Sequence, residues 1–420
     1  MFLENMNIYQ LKKAKFDIFL TLANEHYELN RQHMWDVWGI PRDEKIPLVF
    51  KYSKKDPSKV LISPKVPGMP DKWDIENFKK EKKYYAESKF CFIQCEKDKT
   101  MKQTYIDFIT KADILKEATN GRINLYKTGG NLKKWSLELF RQMNLNIQPE
   151  QIQPDEHEFI ESAKCGSLVW AKNGYKGKAY KKDMVSMYPY ILKNQKFMIP
   201  IKRGEFKKIT KKEFDKMDYY NFGIYRVKIT GSDYRIFRYN KRNYYTHYDL
   251  AVAKKRSYKM ELIEDDKPNF LFYGKDCRIN GDVMFNQFVD YLFPLKKKQI
   301  DGAKDILNTI WGAMCEKNRM KLFADNNKLC EIGSDKIVEK TIPLNLEKEQ
   351  YLIHAVKRKK IYLSDFARIG PFILSCGRKL IGDIIYPQLD NVVRLNTDRF
   401  LTLKREKINF NRKIMAIIGN

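Results

Sequence analysis

The chain has 420 residues, of which 43% are hydrophobic, so it is long enough for two or three domains with a sizeable core and is not a disordered tail. Its formal net charge is +28, because 80 Lys and Arg outnumber 52 Asp and Glu, and this excess is too large for an ordinary soluble enzyme. A basic chain with 13% aromatic residues favours a nucleic-acid-binding protein, although a lysine-rich, solvated surface encoded by an A+T-rich gene is the alternative.

The cysteines and the lengths of the apolar runs indicate where in the cell the protein is located. Seven cysteines are scattered without a C-x-x-C pair, which disfavours a zinc site and favours reduced thiols. An odd number of cysteines without a signal peptide predicts an intracellular protein that is not secreted. No run approaches the roughly 20 apolar residues that span a bilayer, so no membrane partner is expected.

In chain order, residues 1–150 are lysine-rich and mostly helical by pattern, with a proline-spotted loop from Lys54 to Asp74. A linker is predicted from Gln148 to Asp155. Beyond the linker the patterns predict a strand at Phe222–Ile229, a helix at Gln287–Asn318 with a break at Asp301-Gly302, a helix at Phe372–Ile385, and two short strands within Asn391–Leu403 around a turn at Asn396-Thr397. Strands and helices without regular β-α-β alternation predict an α+β fold.

The most informative segment is Lys182-Asp183-Met184-Val185-Ser186-Met187-Tyr188-Pro189. A single aspartate follows a strand-like stretch and precedes a turn into an apolar run. The Asp183 carboxylate can therefore hold a metal ion while the next amides, at the start of a helix, hold a phosphate. Taken alone, an aspartate at a strand end is more often a turn residue.

A second segment, Lys304 to Gly312, is helical by pattern. Lys304, Asn308 and Trp311 stand at i, i+4 and i+7, so they share one helix face, and Lys297 joins them if the helix is continuous. An amphipathic helix with one solvated lysine is the alternative.

A third segment, Val392 to Phe400, is a β-branched strand that delivers Asp398 to a tight turn. Asn396 stands two residues earlier and brings no charge, since an amide side chain is neutral. Arg399 follows directly, so a bulky cation adjoins the aspartate.

Together these segments resemble, in order, the motifs of family B DNA polymerases. Asp183 to Pro189 resembles Asp-x-x-Ser-Leu-Tyr-Pro, and Lys304 to Gly312 resembles Lys-x-x-x-Asn-Ser-x-Tyr-Gly with Trp311 for Tyr. Leu374 to Arg378 resembles the template-contact motif Thr-x-x-Gly/Ala-Arg, and Asn396-Thr397-Asp398 resembles Asp-Thr-Asp. The chain is most similar to the organellar and viral branch, many of whose members start synthesis on a protein primer.

The resemblance implies a right-hand polymerase core, with an antiparallel-sheet palm and helical fingers. The predicted domains are an exonuclease-like remnant (1–150), the first part of the palm (151–290), the fingers (291–330) and the second part of the palm (331–420). It places the protein in a mitochondrion or in a virus-infected cell. It also implies primer–template DNA, dNTPs and a terminal protein as partners.

The resemblance also assigns roles. Asp183 and Asp398 would hold two Mg²⁺ ions, for which Mn²⁺ can substitute. Tyr188 would exclude a 2′-hydroxyl from the sugar site. The remaining residues would bind the dNTP (Ser186, Met187, Lys297, Lys304, Asn308 and Trp311) or the template DNA (Arg378). Tyr245, between the first two motifs, could line the DNA path, and an aromatic strand face in the core is the alternative.

The sequence departs from the family at both ends. Residues 1–150 lack the first two exonuclease motifs. Phe90 to Cys95 resembles the third with Phe90 and Gln94 in place of its Tyr and Asp, and an ordinary helix with two buried cysteines is the alternative. Because the exonuclease motifs are missing or altered, we expect no proofreading. Because the stretch after Asp398 is shorter than the family's thumb, we also expect a core that lacks the thumb. The rival interpretation is a DNA-binding polymerase relic without activity, and a metal nuclease is a third, disfavoured by the missing carboxylates.

Overall fold

A computed structural model describes residues 101–125, 131–184, 186–324, 333–347 and 349–405, and before residue 101 it describes the backbone of five strands. The chain divides into two compact units, residues 1–139 with 291–309 and residues 140–290 with 310–420. The predicted domains end at residues 150, 290 and 330, whereas the chain passes from one unit to the other after residues 139, 290 and 309.

The first unit contains a five-stranded sheet in the order β4-β3-β2-β1-β5. Its strands are β1 (Phe16–Leu22), β2 (Met34–Pro41), β3 (Leu48–Ser53), β4 (Asp56–Ile62) and β5 (Cys91–Gln94). β5 runs parallel to β1, and the other neighbours are antiparallel. The helical pattern predicted for residues 1–150 does not hold at these five strands, because strand pairing there outweighs the weak helical pattern of a lysine-rich sequence.

The segment resembling the third exonuclease motif falls mainly on β5. Leu22 of β1 pairs with Gln94, the position at which the family has its aspartate. Phe90 and Cys95 lie outside the described residues. The absence of exonuclease activity therefore stays a prediction.

Among the described residues, the first unit also contains helices. These are α1 (Met101–Ala118), most of α2 (Leu132–Met143), the end of α7 (Gly281–Lys297) and the start of α8 (Ala303–Met314). The predicted break at Asp301-Gly302 is present, since α7 ends at Lys297 and Gly302 has a φ of +83°. A Cβ at Gly302 would lie 2.6 Å from Leu115 Cδ1, so both the left-handed backbone and the space require glycine. Ser136 Oγ donates to the carbonyl of Ile306 at 2.6 Å, which ties α2 to α8 within this unit.

The second unit is built on antiparallel sheets. β10 (Gly223–Thr230) lies in a five-stranded sheet of order β11-β10-β13-β9, in which β12 also pairs with β10. Its partners are β9 (Glu205–Lys207), β11 (Tyr244–Thr246), β12 (Lys259–Leu262) and β13 (Phe270–Phe272). The predicted strand at Phe222–Ile229 is present within one residue, because alternating apolar positions bury one face of β10.

Three smaller sheets follow, in the orders β14-β8, β15-β17-β16 and β6-β18-β19-β7. Their strands are β6 (Val169–Ala171), β7 (Tyr180–Asp183), β8 (Met198–Pro200), β14 (Arg278–Asn280), β15 (Arg319–Ala324), β16 (Lys336–Asn345), β17 (Gln350–Lys357), β18 (Val392–Asn396) and β19 (Arg399–Thr402). The short helices are α3 (Pro154–Ala163), α4 (Met187–Leu192), α5 (Lys211–Asp215) and α6 (His247–Lys255). The α+β prediction is confirmed.

Helix α9 (Ile369–Ile385) is the centre of the second unit and is buried almost along its whole length. It packs against α3, α4 and α6. Just before it, Arg368 and Glu156 form a fully buried bidentate ion pair, with Nε–Oε1 and Nη2–Oε2 both at 2.8 Å. Tyr273 also donates to Glu156, at 2.9 Å, so the buried charges are paired and hydrogen-bonded as burial requires. No helix in the described part of the chain is long and apolar enough to cross a membrane.

His247 lies in this core, with its ring 4.2 Å from the Phe222 ring and 4.0 Å from the Tyr248 ring, centroid to centroid. Burial lowers the pKa of His247 to about 3, although its hydrogen bond to the Gly223 backbone opposes this. The imidazole is therefore neutral in the folded protein at any pH near neutrality.

We predict that the protein loses stability as the pH falls from 7 to 5. In this range the unfolded chain takes up a proton at His247, near pH 6.5, and the folded chain does not, so unfolding becomes easier by about 2 kcal/mol. Urea midpoints at both pH values would measure this. His247→Phe keeps an aromatic ring in place and should make the slope shallower by the share that His247 contributes; an unchanged slope would contradict the assignment.

Candidate active site

Asp183 and Asp398 meet at one end of the sheet β6-β18-β19-β7. Asp183 is the last residue of β7, and Asp398 belongs to the two-residue turn, Thr397-Asp398, that joins β18 to β19. The Met184 amide donates to the Asp398 carbonyl at 2.9 Å, which brings the two aspartates onto neighbouring backbone positions. The structure therefore juxtaposes the residues that the sequence predicts to share metal ions.

The turn itself is held from the other side of the sheet. Thr397 adopts a φ of +60°, and its amide donates to the Leu168 carbonyl at 3.0 Å. Its hydroxyl lies 2.8 Å from Ser167 Oγ. A β-branched residue in the left-handed region is strained, and these two hydrogen bonds offset that cost.

The amides after Asp183 do not begin a helix, so this detail of the prediction is wrong. The Met184 amide is occupied by Asp398, and α4 starts only at Met187, after Ser186 with a left-handed φ of +59°. The Met187 side chain is 2% exposed and belongs to the core. Met187 therefore offers a ligand no side-chain surface, because α4 turns it inward.

Tyr188 and Trp311 are in contact, with ring centroids 5.3 Å apart and an interplanar angle of 44°. Gly377 of α9 lies against the Tyr188 ring, and a Cβ there would meet Tyr188 Cε1 at 3.1 Å. Burial raises the pKa of the Tyr188 phenol to about 12. The negative charge of Asp398 also raises this pKa, and the positive charge of Arg378 lowers it. The Tyr188 phenol is therefore protonated near neutral pH.

Lys304, Asn308 and Trp311 all lie on α8, where the i, i+4, i+7 spacing puts them on one face. Lys304 and Asn308 are exposed. Lys297 does not extend that face, because α7 ends there and the chain turns at Gly302 before α8 begins; the argument from a continuous helix is wrong. Lys297, Lys304 and Asn308 belong to the first unit, and their triphosphate contacts stay a prediction.

Arg378 is buried rather than available to a template phosphate. Its side chain is 4% exposed, and it makes a bidentate ion pair with Asp249, with Nη2–Oδ1 at 2.9 Å and Nη2–Oδ2 at 3.0 Å. Its Nη1 donates to the carbonyls of Cys165, at 2.7 Å, and Gly166, at 3.0 Å. The predicted template contact is therefore corrected to a structural role, because the guanidinium group's partners are all internal.

Tyr245 is corrected in the same way, since it is 1% exposed and cannot contact DNA. Its hydroxyl accepts a hydrogen bond from the Asn240 amide at 2.9 Å. The Asn240 side chain in turn donates to the Ser162 carbonyl at 2.8 Å. Tyr245 therefore positions the loop around Asn240 from inside the core.

That loop borders a basic cleft of about 1020 Å³ that the sequence did not reveal. The cleft lies between α3, the loop and the sheet β15-β17-β16. Its cations are Lys164, Arg238, Lys241, Arg242, Lys317, Arg319, Lys340 and Arg358, and its carboxylates are Glu158, Glu161 and Glu339. No local pattern announces it, because its walls come from distant parts of the chain.

The floor of the cleft is a neutralised network. His157 Nδ1 lies 2.9 Å from the Tyr362 hydroxyl, which donates to Glu161 at 3.0 Å. Lys317 bridges Glu161, at 2.8 Å, and Glu339. Burial lowers the pKa of His157; for Glu161 burial acts in the opposite direction, but the nearby lysines hold its pKa below the usual value.

The cations at the rim are exposed, notably Arg238, Lys241 and Arg242. Since the floor charges neutralise one another, the rim gives the cleft its positive potential. Gly166 lines the cleft, and the next residue, Ser167, is hydrogen-bonded to Thr397 beside Asp398. The cleft therefore borders the segment that is hydrogen-bonded to the turn carrying Asp398.

The donor set at the aspartates is small. Carboxylates on neighbouring strands are the ligands that a shared Mg²⁺ or Mn²⁺ prefers, so Asp183 and Asp398 fit one such ion. Within the described residues, no group of three or more His, Cys, Asp or Glu side chains could hold a metal. Arg399 is unfavourable for metal binding at this site, because its positive charge already lies 3.7 Å from Asp183 Oδ1, measured from Nε.

No protein-family model and no curated protein matches the chain. Solved structures of phi29 DNA polymerase are similar to it at low identity. The ternary complex with primer–template DNA and incoming nucleotide substrates has 14% identity and a TM-score of 0.46, over 74% of this chain and 55% of the other. The post-translocation binary complex with primer–template DNA has 15% identity and a TM-score of 0.47, over 90% and 64%.

The complex of the same polymerase with single-stranded DNA has 12% identity and a TM-score of 0.49, over 94% of this chain and 80% of the other. The chain thus spans little more than half of the ternary-complex polymerase and less than two thirds of the binary-complex one. Every score is below 0.5. The function of this chain is therefore inferred from its motifs and their geometry.

We predict that Asp249→Asn destabilises the protein by about 3–5 kcal/mol, because it leaves the Arg378 charge buried without its counter-ion. Arg378→Lys should also destabilise it, since an ammonium group cannot make the same bidentate contact. The free energy of urea unfolding, measured without DNA, tests both. Asp290→Asn, in the exposed pair with Lys193, is the control and should change stability by less than about 1 kcal/mol. Unchanged stability in the Arg378 variant would contradict the structural role of this ion pair.

Proposed function

We propose that the chain is the core of a DNA-directed DNA polymerase that adds a dNTP to a primer 3′-hydroxyl. The observation that carries the proposal is the meeting of Asp183 and Asp398 at one sheet end, although they are far apart in sequence. Each belongs to a motif that resembles a family B polymerase motif. The order of the motifs and the antiparallel sheet beneath them agree with a palm of the organellar or viral branch.

In this proposal the two aspartates hold Mg²⁺, which would supply charge stabilisation and activate the hydroxyl for attack on the α-phosphate. Tyr188, backed by Gly377 and in contact with Trp311, closes the sugar site with a rigid aromatic wall. Lys304 neutralises the triphosphate, and Asn308 lies one turn further along the same helix face. Protein-primed initiation and replication of a virus or an organellar plasmid belong to the proposal.

The basic cleft supports DNA as the partner. Its rim cations are exposed and not neutralised within the cleft, and the exposed ring of Tyr239 lies among them. Positive charge with an aromatic side chain suits a phosphodiester backbone with accessible bases. The cleft would guide the nucleic acid towards Asp398 along the segment from Cys165 to Ser167.

A second candidate function is a DNA-binding protein without polymerase activity. The specific observation in its favour is the pair formed by Arg399 and Asp183, together with a neutral Asn396 where the family has an aspartate. Both features reduce the negative charge that two metal ions need. DNA binding is common to both candidates, so only primer extension separates them.

We predict that Asp398→Asn lowers single-nucleotide primer extension by at least about 100-fold, because it removes one of two carboxylates that stabilise the transition state. Asn396→Asp should preserve or raise the activity, since it adds an anion. Lys304→Ala should raise the dNTP requirement and slow turnover. The assay uses Mg²⁺ or Mn²⁺, with Asp390→Asn as the control for loss of an exposed carboxylate.

Full activity in the Asp398→Asn variant would contradict the metal assignment. Inactivity of every variant and of the parent chain, with DNA binding intact, would favour the inactive DNA-binding protein.

We predict that changing Arg238, Lys241 and Arg242 together to Gln weakens binding to a labelled primer–template. The slope of log affinity against log salt should become shallower by about 0.9 for each phosphate that the variant no longer neutralises. Fluorescence anisotropy at several salt concentrations measures it. The matched control changes Lys208, Lys212 and Lys216, which are exposed outside the cleft, to Gln and removes the same charge. Equal weakening in both triple variants would show that net charge, and not the cleft, binds DNA.

A further inference from the structure

Arg399 lies in a cross-strand row at the candidate metal site. It pairs directly with Asn396 of β18 on one side and with Asp183 of β7 on the other. Directly paired residues of antiparallel strands point to the same face, with Cβ atoms about 5 Å apart. The row therefore presents an amide, a guanidinium group and a carboxylate side by side.

The guanidinium group's acidic partner in this row is Asp183, at 3.7 Å from Nε to Oδ1. Asn396 brings no charge to the row. The two side chains are 53% and 42% exposed, so water and salt screen the pair and hold it only weakly. A weak, exposed pair can open readily, unlike the buried pairs of Arg368 and Arg378.

A divalent cation on Asp183 and the Arg399 guanidinium group compete for the same carboxylate. If the ion bound while Arg399 stayed in place, like charges would face each other within a few ångströms. Metal binding therefore has to displace Arg399 or tolerate the repulsion, and either cost lowers the metal affinity.

We propose that Arg399 is a tethered counter-cation of the metal site, which divalent ions must displace from Asp183. This rests on the proposed function only in that Asp183 binds a divalent ion. Arg399 thereby sets how tightly the site takes metal, and it is a positioning residue rather than a catalytic one. Once displaced, its planar fork suits a phosphate oxygen of an incoming nucleotide or primer.

The experiment is a Mn²⁺ titration of the full chain by calorimetry at low salt, without DNA or nucleotide. Arg399→Ala should bind Mn²⁺ roughly tenfold more tightly than the parent chain, because one positive charge leaves the site. Arg399→Lys should bind like the parent, since it keeps the charge. Arg394→Ala, which removes an exposed cation from β18 of the same sheet, is the matched control and should leave the affinity unchanged.

Adding Asp183→Asn to Arg399→Ala should abolish the gain, which locates it at this carboxylate. The proposal is overturned if Arg399→Ala binds no tighter than the parent or binds no Mn²⁺ at all. It is equally overturned if Arg394→Ala gives the same gain or if the gain survives Asp183→Asn. Tighter Mn²⁺ binding without primer extension in any variant would instead sink the polymerase proposal alone.

Discussion

The candidate site depends on the buried ion pair between Arg378 and Asp249. One guanidinium group joins α9 to α6 and also to the carbonyls of Cys165 and Gly166. A buried charge pair of this kind is costly to break, because the remaining partner would stay charged in an apolar core. From Gly166 the chain passes to Ser167, which is hydrogen-bonded to the turn that carries Asp398. The position of one proposed metal ligand thus follows from an interaction at some distance from it.

The cationic side chains of this protein include two distinct classes, buried and exposed. Arg368 and Arg378 are buried, and each has its own carboxylate and backbone carbonyls, so they stabilise the fold and leave no charge for a ligand. Arg238, Lys241 and Arg242 are exposed around a cleft whose floor charges already neutralise one another. The net charge of +28 therefore becomes useful to a polyanion only where the fold leaves it exposed.

The candidate metal site carries little net negative charge. Asp183 and Asp398 stand together, but Asn396 is neutral and Arg399 lies on Asp183. In the proposal for Arg399, this pairing lowers the affinity of the site for divalent ions. The two proposed functions therefore differ in how they interpret the charges at the end of this sheet.

Local patterns in the sequence determined the elements that local physics controls. The alternation at Phe222–Ile229 predicted β10. The turn predicted at Asn396-Thr397 is present one residue later, at Thr397-Asp398, between β18 and β19. The glycine at 302 predicted the helix break, because only glycine adopts its backbone readily. The resemblance to family B polymerase motifs predicted that Asp183 and Asp398 lie together, and the structure places them together.

Tertiary structure alone decided the rest. The sheet in the first 94 residues depends on which strands pair, which lysine-rich segments do not reveal. A motif match predicted a template contact for Arg378 but not its burial, and the aromatic pattern at Tyr245 left DNA contact and burial open, since burial depends on what packs around a residue. The cleft joins side chains from three distant segments, and the meeting of Arg399 with Asp183 depends on strand register. These features arise from long-range contacts, for which a single sequence carries no local signal.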